Sequence, residues 1–371
     1  MSEASGTSMH RLLVVAYYFP PMGMSGVQRV AKFVKYLPEF GWDPVVLTVE
    51  PGGYFAYDEE LQEEIDRADV EVVRTDSWDP TRLFSNGETV EMPTGWQRSV
   101  LDALTDFFFI PDNKIGWKSH ALEAGRDLLA ERSFQAIFST APPYTCHLIG
   151  ETLSRETGLP LVTDFRDDWV GNPLLSFPTP YHRRRHEKLE QRVLKASDHV
   201  TTINRSIKER LIQRNLGPDA YTRCSILPHG FDPDDFERAS TEGVIPAGDR
   251  FRLLYCGVFY GERRPDHFLR GVRRLLHRRP ELTDQLDLVF VGLVPEGTQD
   301  LIDELDLSDA VSCVGYKSHR KAVSYLLSAD ALWFTVGRQE GAETISTSKL
   351  YEYMGSPKPI LGLVPEGAAR E

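Results

Sequence analysis

Two places in the chain set cations where the electrostatics of a helix disfavours them. Arg263 and Arg264 stand just before Pro265, a residue suited to the first position of a helix. Lys349 follows Ser346-Thr347-Ser348, whose hydroxyls suit helix caps, at the head of a helical stretch Lys349–Met354 closed by Gly355. Helix starts carry partial positive charge and prefer acids, so cations there need an anion to justify them, and a diphosphate would supply it. Glu352 lies three residues after Lys349, on the same helix face. A lysine reaching a phosphate and a glutamate accepting both ribose hydroxyls make a coherent nucleotide site. The competing reading is an exposed i,i+3 ion pair worth ~0.5 kcal/mol.

A second group lies nearer the start. In Tyr17–Gly26, Gly23 and Gly26 would let a ligand approach the backbone, with Ser25 between them and a helix N-terminus following. The spacing is Gly23-x-x-Gly26, so the dinucleotide fingerprint GxGxxG fails, and the alternative is a tight turn. Ser139–His147 and Asp164-Phe165-Arg166-Asp167-Asp168-Trp169 each follow an apolar run. Asp164 could orient a hydroxyl or act as base, and Arg166 could hold a carboxylate or phosphate bidentately. The alternative is an internal Arg–Asp pair that shapes the loop. His147 either touches substrate or is a structural residue at a helix start. Ile226–Phe236, rich in Pro, Gly and Asp, reads as a loop leaving a strand.

Positioning these residues requires strands that end beside them. Short β-branched runs at Arg11–Ala16, Asp43–Val49, Val70–Thr75, Ala136–Ser139, Leu161–Asp164 and His199–Ile203 alternate with helical stretches at Val27–Leu37, Ser119–Arg132, His147–Thr157 and His182–Lys195. The series restarts at Phe251–Cys256, Leu286–Gly292, Val311–Val314, Ala331–Thr335 and Ile360–Val364, with helices at Pro265–Arg278, Gln299–Asp306 and His319–Ser328. This rhythm predicts α/β architecture with parallel sheets covered on both faces. Phe236–Arg250 reads as the linker, giving domains at 1–238 and 239–371. The second ends soon after its last strand, which suggests a chain truncated at its C-terminus.

The 371 residues carry 42 Lys and Arg against 55 Asp and Glu, a net charge of −13. An acidic chain does not suit nucleic-acid phosphates, so no nucleic-acid partner is expected. Four cysteines with no CxxC pair suggest free thiols in a reducing, cytoplasmic setting. No apolar run reaches the ~18 residues of a membrane span. The aromatic segment Trp96–Trp117 and the basic stretch His182–Lys195 would, if both were exposed, dock the chain on an anionic bilayer at the inner membrane face. Their alternatives are a buried aromatic helix and a solvated helix face.

Taken together, YYFPPMGMSGVQRVAKFVKYLPEFGWDPVVLT, STAPPY, DFRDDW, ILPHGFD, YCGVFYGERRP and STSKLYEYMGSPKPIL resemble the GT4-type retaining glycosyltransferases (glycosyl transferases group 1), over nearly the whole chain. The resemblance implies the GT-B fold, two Rossmann-like doubly wound lobes with an interlobe cleft, acceptor-binding first and nucleotide-sugar-binding second. It implies transfer of a sugar from a nucleotide-diphosphate donor to a glycan or lipid-linked acceptor with retention, in cell-surface polysaccharide or glycolipid assembly. No cofactor and no metal are implied, because side chains and helix starts neutralise the leaving group. The candidate catalytic set is Arg264 and Lys349, which the resemblance carries, with Asp164 and Arg166 from the reading of the residues themselves. The donor-binding set is Glu352, Arg263, Gly23, Ser25, Gly26, Thr347, Ser348, Leu350 and Glu343. Glu352 matches the second acid of the family's Glu-x7-Glu motif, whose first acid falls on Thr344 beside Glu343. The arginine usual six residues before Arg264 is Val258, which leaves Arg263 as a substitute. A nucleotide-sugar epimerase of the same fold and a non-catalytic nucleotide-binding protein are the other readings. The transferase reading rests on Arg264 and Lys349 gripping one pyrophosphate.

Overall fold

A computed structural model describes residues 9–23, 25–54, 56–79, 82, 105–172, 175–240, 244, 248–259, 263–338 and 341–371. The chain divides into two units, Met1–Pro228 and His229–Glu371. In the first, β1 (His10–Val15), α1 (Ser25–Tyr36), β2 (Trp42–Val49), α2 (Glu59–Arg67) and β3 (Glu71–Thr75) form one half. The other half contains α3 (Lys118–Glu131), β4 (Ala136–Ala141), α4 (Thr145–Thr157), β5 (Leu161–Phe165), α5 (Pro180–Ala196), β6 (His199–Thr202), α6 (Arg205–Leu211) and β7 (Cys224–Ile226). The sheet order is β3-β2-β1-β4-β5-β6-β7, and every pairing is parallel.

Parallel strands buried on both faces read as unbroken apolar runs, and β1 shows why. Leu13 and Val15 pack with Val45, Leu47, Trp117, Ile149 and Leu153 on one face; Leu12 and Val14 pack with Val27, Val30, Val34 and Val46 on the other. A half-buried strand would have alternated with polar residues.

The second unit contains α7 (Pro233–Arg238), β8 (Phe251–Cys256), α8 (Asp266–Arg278), β9 (Leu286–Val291), α9 (Thr298–Glu304), β10 (Val311–Gly315), α10 (His319–Ser328), β11 (Ala331–Thr335), α11 (Ser348–Gly355) and β12 (Ile360–Leu363). Its strands lie in the order β10-β9-β8-β11-β12, again all parallel. Both sheets therefore reverse direction of winding at their first strand: between β1 and β4, and between β8 and β11. Ligands of doubly wound sheets bind beyond the carboxyl ends of the strands at such a reversal.

The division falls before α7, earlier than the expected 238/239 boundary. Phe231 and Phe236, in T-shaped contact, press on α11: a Cβ at Gly355 would lie 2.6 Å from the Phe231 ring and 2.8 Å from Phe236. Where a loop and the start of a linker were expected, Pro233–Arg238 is thus a helix, and those aromatic contacts make it part of the second unit. α2, α6 and β7 complete the fold beyond the expected elements. The aromatic stretch Trp96–Trp117 is not one helix face where it is described. Trp117 ends a short 3-10 turn and is buried, whereas Phe107 and Phe108 are exposed; Trp96–Leu104 lies outside the described residues. Among the described residues no helix is long and apolar enough to cross a membrane.

Candidate active site

At the reversal of the second sheet, the loop leaving β8 meets the N-terminus of α11. Tyr353 fixes the meeting: its hydroxyl accepts from the Cys256 amide (2.7 Å) and donates to the Cys256 carbonyl (3.2 Å). One turn earlier, Lys349 lays its ammonium over the Tyr255 ring, 4.0 Å from the centroid, and donates to the Tyr255 hydroxyl. Tyr255 is itself held by stacking on Phe259 and by edge contacts with Phe290, above buried Trp333. Gly257 makes the close approach feasible. Its φ of +137° suits glycine, and a Cβ there would lie 2.7 Å from Lys349 Nζ.

Lys349 is half-buried, and its electrostatics are unusual. Loss of hydration, then the nearby Arg263 charge, push its ammonium down to about 7, against the opposing pull of Cys256 and Glu352. Arg263 is buried. Two like charges are thus gathered in a poorly hydrated place, an arrangement that an anion relieves. The expected partner, Arg264, does not take part: it is exposed, and its Nε donates to Asp266 at 3.2 Å. The two arginines are adjacent, yet only Arg263 is buried, and it is the one whose charge weighs on Lys349.

The Ser/Thr cluster also differs from expectation. Thr347 occupies the cap position and is buried, yet its side chain makes no capping bond, so the amides of α11 keep no internal acceptor from it. Ser346 Oγ lies 3.3 Å from the Tyr351 hydroxyl, and Ser348 and Leu350 are half-buried in the first turn. Thr344 is buried and its hydroxyl donates to the Gly341 carbonyl at 2.8 Å; Glu343 is exposed. Glu352 lies on the same helix and accepts from His319 Nε2 at 3.0 Å.

In the first unit, residues expected to do chemistry are engaged in holding the fold. Asp164 is wholly buried at the end of β5 and accepts four hydrogen bonds. Arg29 Nε donates at 3.0 Å and Nη2 at 2.9 Å, Thr140 Oγ1 at 2.9 Å and Thr201 Oγ1 at 2.8 Å. Burial alone would raise its carboxyl; the Arg29 charge and hydrogen bonds and the Thr201 hydroxyl outweigh it and hold it below the usual carboxylate range. A carboxylate so saturated is no base. Arg166 donates Nε to the Ala141 carbonyl (3.1 Å) and its terminal nitrogens to the carbonyls of Gly26 and Pro142, so three of its five N–H donors go to the main chain. These bonds give the guanidinium a structural task beside the expected ligand role: it pins the start of α1 to the loop after β4. Gly23 spends its amide on Ala56 O at 2.9 Å. Ser25 begins α1, and its side chain lies outside the described residues. His147 is fully buried, with Nδ1 2.8 Å from Ser139 Oγ and its ring on Phe165; burial pushes it down to about 3, so it is a neutral core residue.

The sequence missed Arg29, Tyr255 and His319. An acid inside the apolar run of β5 was a signal for a partner of Asp164, since a buried charge must be paired, but nothing local named Arg29. Residues 25–228 match the family described as glycosyl transferase 4-like domain. No curated protein sequence matches the chain. Among solved structures it is similar to sucrose-phosphate synthase from Thermosynechococcus elongatus, with 14% identity over 97% of this chain and 87% of that one, TM-score 0.63. It is also similar to Anabaena HepE in complex with UDP-glucose (13%, 97% and 82%, 0.58) and to WaaG, a glycosyltransferase involved in lipopolysaccharide biosynthesis (13%, 95% and 80%, 0.58). At such identities the likeness concerns the fold: two α/β lobes of GT-B type.

Proposed function

The chain belongs to the glycosyl transferase 4-like family, and from that premise we propose that it moves a sugar from a nucleoside-diphosphate donor to a glycan or lipid-linked acceptor, with retention at the anomeric carbon, in surface polysaccharide or glycolipid assembly. The observation that carries this is the desolvated Lys349 ammonium beside buried Arg263 at the sheet reversal. As the bond from the anomeric carbon to the diphosphate breaks, negative charge grows on the leaving group. Two cations and the uncapped start of α11 stabilise that charge more than the ground state, which is the condition for catalysis. The same cations do the work a divalent metal does elsewhere, so turnover persists in EDTA. Glu352 binds the ribose.

The test is turnover of a panel of UDP-, GDP- and ADP-sugars, read as nucleotide release with and without acceptor. UDP-glucose comes first, since HepE is seen with it. Release dependent on acceptor supports transfer; an epimer formed from donor alone supports the epimerase reading. Thr344, standing where the motif has its first acid, favours a third outcome, nucleotide binding without turnover. For the acceptor side, exposed Phe107, Phe108 and Tyr181 lie by the start of α5, where His182 packs on Phe107. Arg184, Arg185 and Lys188 of that helix are exposed and make no ion pair among the described residues. Aromatics flanked by unpaired cations on an acidic chain suit an anionic bilayer, and thus a lipid-linked acceptor at the cytoplasmic membrane face. Flotation with phosphatidylglycerol vesicles but not with phosphatidylcholine at low salt is expected; equal behaviour with both removes this contact.

A further inference from the structure

Glu352 is held by something the nucleotide reading does not need. Its Oε1 lies 3.0 Å from His319 Nε2, and the other ring nitrogen of His319 lies 3.7 Å from Asp235 Oδ2. The three side chains come from α11, α10 and α7 of one unit, and retain 23%, 16% and 14% of their exposure. An ionised carboxylate only accepts, so Nε2 carries the hydrogen and donates it to Glu352. Among the described residues Glu352 makes no other hydrogen bond, which leaves Oε2 unengaged. The framework is set by packing: Phe231 and Phe236, on either side of Asp235, press on Gly355 at the end of α11.

We propose that His319 is a positioning residue for the nucleotide: it locks Glu352 in the rotamer that offers Oε2 to a vicinal diol, with Asp235 steering the imidazole. This rests on the reading of Glu352 as the ribose acceptor. A glutamate has several side-chain torsions, and fixing them when ligand arrives would weaken binding. His319 does that ordering during folding, through one charge-assisted hydrogen bond. At 3.7 Å Asp235 is beyond hydrogen-bond distance of Nδ1 and attracts the ring only when both ring nitrogens carry hydrogen, so its part is the smaller.

The experiment is UDP titration by calorimetry on the full chain. His319→Ala should weaken UDP about tenfold, the loss of one such pre-organising bond. His319→Gln, whose amide can still donate, should stay within about threefold of wild type. In the Glu352→Ala background His319→Ala should cost nothing further, because its effect travels through that carboxylate. In the transfer assay His319→Ala should raise the donor KM and leave kcat nearly unchanged. Unaltered affinity in His319→Ala, or an equal loss with Glu352 already removed, overturns the proposal. If His319→Ala fails to fold, His319→Gln and Asp235→Asn decide it: near-wild-type affinity in the first and a smaller loss in the second support it, and a collapse in the first overturns it. A wild-type protein that binds none of UDP, GDP or ADP overturns the transferase reading instead.

Discussion

A half-buried lysine that feels a neighbouring guanidinium is held in a tension that a diphosphate would release. With the Lys349 ammonium pushed down to about 7, the lysine without ligand is mostly neutral at pH 8, while a bound diphosphate favours the charged form. Nucleotide binding must then take up a proton. The sign follows directly: below pH 7 the lysine is already charged and affinity is flat; above it, affinity falls by about tenfold per pH unit, the slope of one linked proton. Calorimetry of UDP binding at pH 8 in two buffers of different ionisation heat measures the uptake, and Lys349→Gln should abolish it along with most affinity. Buffer-independent heats would mean that Lys349 does not meet the phosphates. Gly257→Ala belongs to the same scale. Its Cβ would displace the ammonium and strain a φ of +137°, so donor affinity should drop with Lys349 unchanged in identity.

Among elements, the clamp between α1 and β5 ties together the carboxyl edge of the first sheet. Arg29 binds Asp164 across 135 residues of sequence and also donates to the carbonyls of Leu227 and Pro228, each at 2.8 Å. Arg29→Met would strand a buried carboxylate, so unfolding in urea should show a loss of about 3–5 kcal/mol, whereas Arg29→Met with Asp164→Leu should recover much of it. A single variant no less stable than wild type would show the charge to be solvated. The clamp also shows what could be read in advance. The strands were legible because burial on both faces leaves an unbroken apolar run, as in Leu12–Val15. Lys349 and Glu352 were legible because one helix turn places them together. α2 was not: Leu61 and Ile65 are its only buried residues, set among acids. Nor were the roles of Arg29, Arg166 and His319, since their partners are set by the order of strands and the meeting of helices. The choice between Arg263 and Arg264 turned on which of the two is buried, for which adjacent identical residues carry no signal.

At the level of the whole chain, the two units answer to different solution variables. His147, in the first, is buried and pushed down to about 3, and burial takes His186 down to about 4. Unfolded, each accepts a proton near 6.5, so protons favour the unfolded state between that value and the folded one. The stability their neutral forms contribute is complete above pH 6.5 and lost as pH falls toward 3. For His147 alone the loss at pH 5 is about 2 kcal/mol. The second unit holds the residues proposed to bind nucleotide, and ligand at a hundred times its Kd would stabilise it by about 2.7 kcal/mol. Native-state hydrogen exchange, corrected for intrinsic rates, reads the two separately. Moving from pH 7 to pH 5 should lower protection in β4, β5 and α4, and His147→Gln should remove most of that change. Adding UDP at pH 7 should raise protection in β8, α10 and α11. Acid sensitivity confined to the second unit would refute the histidine account, and nucleotide protection confined to the first would refute the placement of the donor.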